Sequence, residues 1–134
     1  MKAEQREVIL SVDVSANPVY ANIDSFHLGR ALVNLIANAI DASDKNKIVS
    51  IGLNADKTIA TIIISDNGSG MEKNVLEEIF VPFYTKKRDG TGLGLPIVKK
   101  IIEGHQGNIR ISSKPGEGTK AVVELPAARE KQRT

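Results

Sequence analysis

Two glycine clusters carry the residue types in this chain that best suit phosphate chemistry. Residues 66–71 (DNGSGM) follow an apolar run typical of a buried strand, and residues 90–95 (GTGLGL) open an apolar helical pattern. Glycine lets a backbone approach a ligand closely, and a helix N-terminus offers free N–H groups and partial positive charge. Between the clusters lie Lys86, Lys87 and Arg88. The pattern predicts a nucleotide site with a basic, glycine-hinged lid.

A long helix, predicted from an N-cap at Asp24 to about Ser43, carries a second candidate group. Its apolar stripe consists of Leu28, Leu32, Leu35, Ile36 and Ala39. Asn34 and Asn38 are four residues apart and therefore stack on one edge of that stripe. Asparagine is a mediocre helix former, so two of them beside a core need a reason. They are either solvated or backbone-bonded amides, or neutral oxygen donors that face a hard cation and phosphates.

The remaining elements are those expected to position these residues. Strands are predicted over residues 7–14, 19–23, 47–53, 58–65, 106–113 and 119–125, and helices over 24–43, 71–80 and from the second glycine cluster to Glu103. Gly104 fits a helix stop. This order predicts a two-layer α/β sandwich, with a mixed, mostly antiparallel sheet and helices on one face. We expect one domain over residues 7–126, with an extension at 1–6 and a tail at 127–134.

Composition excludes several classes of protein. The 134 residues are 41% apolar and lack Trp, which predicts an aliphatic core. A net charge of +2, with both signs interspersed, argues against nucleic acid or an anionic membrane as the main partner. The chain has no Cys, which excludes disulfides and thiolate metal sites. It has neither a membrane-length apolar run nor a signal-peptide pattern. We expect a soluble, cytoplasmic protein that is monomeric in isolation.

Five segments, in order, give the chain a family resemblance. Residues 27–42 resemble the N box, 66–71 the first glycine box, 79–86 the F box, 90–95 the second glycine box and 116–119 the late Gly-x-Gly-Thr turn of the ATP-binding catalytic domain of sensor histidine kinases. That domain has the Bergerat fold of the GHKL superfamily, which also holds gyrase, the ninety-kilodalton chaperones and mismatch-repair ATPases. Competing motifs fit badly, because there is no Gly-Lys-Ser/Thr for a P-loop and no Gly-x-Gly-x-x-Gly after a strand.

The resemblance assigns roles to individual residues. It implies that Asp66 accepts a hydrogen bond from the adenine amino group, that Asn38 binds Mg²⁺, and that Asn34 holds phosphate or a coordinated water. Lys86 and Lys87 either contact the terminal phosphate or belong to a solvated loop. The residues expected to contact the nucleotide are Asn34, Asn38, Asp66, Gly68, Gly70, Met71, Thr85, Lys86, Lys87, Gly90, Thr91, Gly92, Leu93, Gly94, Leu95 and Thr119.

Departures from the family pattern refine the predicted reaction. Hydrolysing members place a glutamate base where this chain has Asn34, so transfer to another group is favoured over hydrolysis. Asp41 stands where many histidine kinases have a basic residue, which argues against a phosphate contact there. Neither His27 nor His105 has the His-Glu-x-x-x-Pro setting of the phosphoacceptor. The resemblance therefore implies Mg-ATP binding and transfer of the γ-phosphate to a histidine on a separate dimerisation domain of the same kinase, with a response regulator downstream. The alternatives are a serine kinase of the anti-sigma type, a hydrolase on the same fold, and a nucleotide-gated binding module without catalysis.

Overall fold

The computed structural model describes residues 8–14, 18–44, 47–81 and 94–128. Its strands are β1 (Ile9–Val14), β2 (Tyr20–Ala21), β3 (Ile48–Ala55), β4 (Ile59–Asp66), β5 (Asn108–Lys114) and β6 (Gly118–Ala128). Its helices are α1 (Ser25–Asp41), α2 (Lys73–Leu76) and α3 (Gly94–Gly104).

The six strands form one mixed sheet. The order is β1-β3-β4-β6-β2, and β5 also pairs with β6. The β1–β3 pair is parallel, whereas the β2–β6, β3–β4, β4–β6 and β5–β6 pairs are antiparallel. α1 packs against α3 and against β3 and β4, while α3 also contacts β5. The predicted two-layer sandwich with a mostly antiparallel sheet is therefore confirmed.

Helix α1 begins where the sequence predicts. The Asp24 carboxylate accepts a hydrogen bond from the His27 N–H at 3.1 Å, which satisfies one of the free donors of the first turn. The buried side chains of α1 recur three to four residues apart and face the sheet: Leu28, Ala31, Leu35, Ala39 and Ile40. From the predicted stripe, Leu32 and Ile36 lie at its margin and are partly buried.

Helix α3 ends at Gly104, within one residue of the predicted end at about Glu103. Gly104 belongs to the helix, and the residue with left-handed backbone is Gln106, with a φ of 63°. The Gly107 N–H then donates to the Ile102 carbonyl at 3.0 Å, which closes the helix end. Gly104 is therefore the last residue of the helix, but the left-handed position that closes the helix end is taken two residues later by Gln106, which is not a glycine.

The outer strands differ from the sequence pattern in two places. Val8 is buried, but Val12 and Val14 are 62% and 58% exposed, because they lie in the second half of the edge strand β1. At the other end of the chain, β6 continues to Ala128, which pairs with Tyr20 of β2. The strand therefore runs two residues into the segment predicted as a tail. No helix within the described residues is long and apolar enough to cross a bilayer.

Candidate functional site

Asp66 ends strand β4 and is only 7% exposed. Its Oδ1 accepts hydrogen bonds from the N–H of Gly68 at 2.9 Å and of Thr119 at 3.2 Å. Burial raises the pKa of the Asp66 carboxyl, and the two N–H donors partly offset that rise. No described residue bonds Oδ2, and the described part of the chain contains no fully buried polar side-chain atom without a partner. Oδ2 is therefore an acceptor without a partner among the described residues.

The glycine cluster after Asp66 is held against the C-terminal end of α1. A Cβ atom on Gly68 would overlap the carbonyl of Ala42, so only glycine fits there. The Ser69 N–H donates to the same carbonyl at 3.3 Å, and the Ala42 N–H donates to the Asn38 carbonyl at 3.1 Å. These contacts hold Asp66 and the last turn of α1, which carries Asn38, as neighbours.

The same cluster is also held against the turn between β5 and β6. Gly70 has a φ of 70°, and a Cβ atom there would overlap the carbonyl of Lys114. The Gly116 N–H donates to the Ser69 carbonyl at 2.7 Å. Contacts within the protein thus explain why residues 68 and 70 are glycines. That these glycines lie close to a nucleotide base stays a prediction.

Ser113 is a site residue that the sequence analysis missed. It lies beside Thr119 in the β5–β6 register, and its Oγ is 2.8 Å from the Met71 N, 2.9 Å from the Gly118 carbonyl and 2.8 Å from the Thr119 Oγ1. The signal for it is the strand pattern, in which a serine continues the inward face of Ile109 and Ile111.

The predicted phosphate-binding residues within the described ranges lie on α1 and at the N-terminus of α3. His105, just after α3, accepts a hydrogen bond at Nε2 from the Asp24 N–H at 2.8 Å, immediately before α1. The two packed helices therefore run antiparallel. Gly94 precedes His105 by eleven residues, about 16 Å along an axis at 1.5 Å per residue, and Asn34 follows Asp24 by ten, about 15 Å. The start of α3 and Asn34 thus both lie away from the Asp24–His105 contact.

The two histidines share the opposite end of this helix pair. His27 Nδ1 lies 2.9 Å from the Asp24 Oδ2, and His27 is exposed. The His105 ring accepts the Asp24 N–H at Nε2, so its hydrogen is on Nδ1, which donates to the Ile101 carbonyl at 2.8 Å. His105 lies in the turn that follows α3.

The predicted site residues fall into three groups. Asp66, Gly68, Gly70, Met71 and Thr119 form one cluster at the end of the sheet. The half-buried Asn34 and Asn38 lie on α1, and Gly94 and Leu95 form the first turn of α3. Seven predicted residues lie outside the described residues: Thr85, Lys86, Lys87, Gly90, Thr91, Gly92 and Leu93. Within the described ranges, no three His, Cys, Asp or Glu side chains are placed to hold a metal ion.

Known proteins are similar to this chain in sequence. The family model for histidine kinase-, DNA gyrase B- and HSP90-like ATPases matches residues 23–129. Sporulation kinase C of Bacillus subtilis (strain 168) is 39% identical over 105 residues, which are 78% of this chain and 24% of that protein. The sensor histidine kinase ZraS of Salmonella typhimurium is 36% identical over 131 residues, 97% of this chain and 28% of that protein. The chain thus spans about a quarter of the length of these two relatives.

Solved structures give the same result for the fold. The mycobacterial sensor histidine kinase MprB superposes with a TM-score of 0.82 at 30% identity, over 93% of this chain and 86% of that chain. The nucleotide-free catalytic domain of the histidine kinase ThkA superposes with a TM-score of 0.83 at 28% identity, over 93% and 84%. The chain therefore belongs to the family of histidine kinase-, DNA gyrase B- and HSP90-like ATPases, and its fold is that of the ATP-binding catalytic domain of sensor histidine kinases.

Proposed function

We propose that this chain binds ATP with Mg²⁺ and donates the γ-phosphate to a histidine on a separate dimerisation domain of the same kinase, from which a response regulator receives it. The observation that carries the proposal is the buried Asp66 carboxylate, whose Oδ2 accepts no hydrogen bond from a described residue and lies beside a glycine cluster. The names of the relatives support it, as does the structure of full-length ShkA in complex with AMPPNP, which superposes with a TM-score of 0.82 at 25% identity over 95% of this chain and 27% of that chain. We place the reaction in the cytoplasm, where ATP is available.

The adenine end of the proposed site is the Asp66 cluster. Because two backbone N–H groups occupy Oδ1, the carboxylate is fixed in orientation and Oδ2 faces the ligand. An adenine amino group donates to such an oxygen. Guanine has a carbonyl oxygen at the corresponding position, which a carboxylate repels, so the site selects adenine.

The phosphate end of the proposed site lies between α1 and the start of α3. The N–H groups of the first turn of α3, at Gly94 and Leu95, suit phosphate oxygens, and like Asn34 they lie away from the Asp24–His105 contact. Asn38 is one turn closer to Asp66 and offers an amide oxygen to Mg²⁺. Such an ion takes most of its ligands from phosphate and water, so one neutral protein oxygen suits it. When bound, Mg²⁺ would neutralise charge that develops on the phosphates.

Catalysis by this arrangement is positioning rather than covalent chemistry. The bond from the γ-phosphorus to its bridging oxygen breaks as a bond to an imidazole nitrogen forms, ADP leaves, and the imidazole releases a proton. The residue Asn34 cannot act as a general base toward water, because an amide does not accept a proton near neutral pH. The chain's contribution is to hold the phosphates in line with an acceptor that another domain supplies.

The test uses radiolabelled ATP, this chain and a separately purified dimerisation domain that bears the acceptor histidine. We expect acid-labile, base-stable label on the dimerisation domain, and no label when the chain carries Asp66→Asn. Release of inorganic phosphate without labelling would instead identify a hydrolase, and acid-stable label a serine kinase. ATP binding without either product would identify a binding module.

A further inference from the structure

Ser113 stands at the centre of a hydrogen-bond network beside Asp66. Its Oγ has three polar neighbours within 2.9 Å: the N–H of Met71, the carbonyl of Gly118 and the hydroxyl of Thr119. Met71 is the last residue of the first glycine cluster, whereas Gly118 and Thr119 begin β6. The serine therefore joins both polypeptide segments that border Asp66.

The chemistry of the neighbours fixes where each hydrogen lies. A serine hydroxyl has one hydrogen to donate and two lone pairs to accept with. The Met71 N–H can only donate, so it occupies one lone pair of Ser113. The Gly118 carbonyl can only accept, so the Ser113 hydrogen points to it; otherwise two oxygen lone pairs would face each other at 2.9 Å. The remaining lone pair of Ser113 must therefore receive the hydrogen of the Thr119 hydroxyl.

A hydroxyl whose hydrogen is already used can offer a ligand only lone pairs. Thr119 is in that state, and its backbone N–H donates to the Asp66 Oδ1 at 3.2 Å, so the two side chains are neighbours. Asp66, Thr119 and Ser113 form one row across β4, β6 and β5 on the helix side of the sheet. Of these three, the two nearest the proposed base, Asp66 and Thr119, present acceptors and no donor.

We propose that Ser113 is a positioning residue that sets base specificity: it orients the Thr119 hydroxyl as an acceptor, so that this row favours a purine with a 6-amino group over one with a 6-oxo group. The proposal rests on the proposed function, because it concerns the same nucleotide site. Removing the Ser113 hydroxyl releases the Thr119 hydrogen, which can then rotate and donate to a 6-oxo base. Discrimination falls even though Asp66 is intact.

The test compares ATP with inosine triphosphate, which has a 6-oxo group and an N1–H where ATP has a 6-amino group and an unprotonated N1. We expect Ser113→Ala to lower the ratio of the inosine triphosphate Kd to the ATP Kd by about tenfold, the size expected for one mispaired polar group. Ser113→Thr, which keeps the hydroxyl, should restore the ratio. Ser50→Ala, which removes an exposed serine hydroxyl on the opposite face of the same sheet, should leave it unchanged.

A double-mutant cycle separates hydroxyl orientation from general loosening of the site. Thr119→Val should lower the ratio by itself, and Ser113→Ala should then lower it no further, because no hydroxyl remains to be oriented. An unchanged ratio in Ser113→Ala, or equal effects of Ser113→Ala with and without the Thr119 hydroxyl, would overturn the inference. Three controls decide what such a negative result means: the wild type binds ATP, it binds ATP more tightly than inosine triphosphate, and Asp66→Asn loses ATP binding. If all three hold, the negative result overturns the role of Ser113 alone. Absence of ATP binding by the wild type overturns the proposed function as well. If Ser113→Ala fails to fold, an unaltered ratio in Thr119→Val would also overturn the inference.

Discussion

Asp66→Asn is the substitution that best separates ligand binding from folding at this site. The amide keeps an oxygen that can accept from the N–H groups of Gly68 and Thr119, but it replaces the accessible Oδ2 with an NH₂ donor. The adenine amino group then faces a donor and loses its acceptor. Leaving these groups unpaired costs about 2–4 kcal/mol, so we expect ATP affinity to fall by about 30- to 1,000-fold.

The same substitution should not destabilise the protein. Because burial raises the pKa of Asp66 above its ordinary value of 3.8, the folded chain holds the proton more tightly than the unfolded chain does. The contribution of Asp66 to stability is therefore largest at acid pH and is lost as the pH rises from below 3.8 through the folded-state pKa. At neutral pH, without nucleotide, Asp66→Asn removes a desolvated charge. We expect it to unfold at a denaturant concentration at least as high as that of the wild type.

Two measurements test this combination. Calorimetric titration with Mg-ATP at neutral pH gives the affinity, and urea unfolding of the nucleotide-free chain across acid and neutral pH gives the stability. Asp13→Asn makes the same chemical change on an exposed residue of β1 and should alter neither quantity. Near-wild-type affinity in Asp66→Asn would remove the adenine role of Asp66. Lost affinity together with a clearly lower unfolding midpoint would show that the residue acts mainly through the fold.

Three further predictions follow from the helix pair. Asn38→Ala should weaken ATP binding more with Mg²⁺ than with a chelator present, because the amide oxygen binds the ion; equal losses in the two titrations would contradict a metal role. His105→Ala should lower the thermal unfolding midpoint by about 2–4 °C through loss of the Asp24 contact. Lys100→Ala, an exposed control on α3, should leave the midpoint unchanged. Equal midpoints for His105→Ala and the wild type would show that the contact does not stabilise the fold. The purified chain alone should acquire no acid-labile label from radiolabelled ATP, since both histidines lie at the Asp24 end; stoichiometric acid-labile, base-stable label would refute the proposed arrangement.

The sequence predicts site features that lie within one continuous segment and misses contacts between segments that are distant in the chain. Asp66 was predicted because a buried strand ends on a carboxylate followed by glycines, all within one segment. Ser113 was missed because its partners come from two places in the chain: strand pairing brings Thr119 beside it, and the first glycine cluster supplies Met71. Gly68 likewise contacts Ala42, which is 26 residues away in the chain. The sequence alone does not show this contact, so Gly68 was predicted to approach a ligand, whereas the structure shows that it approaches the backbone of Ala42.

The antiparallel packing of α1 and α3 bears on the proposed transfer, because it places both histidines of this chain far from the proposed phosphate site. The Asp24–His105 contact places both histidines at one end of the helix pair. The start of α3 and the residue Asn34 lie about 16 Å from that end. An in-line transfer needs the accepting atom within about 3–3.5 Å of the phosphorus. Since α1 supplies both Asn34 and the Asp24 cap, bringing His27 to the proposed phosphate site would require unfolding the helix that forms part of it. The helix pair thus keeps both histidines of this chain away from that site, and the transfer that we propose requires a histidine of another domain.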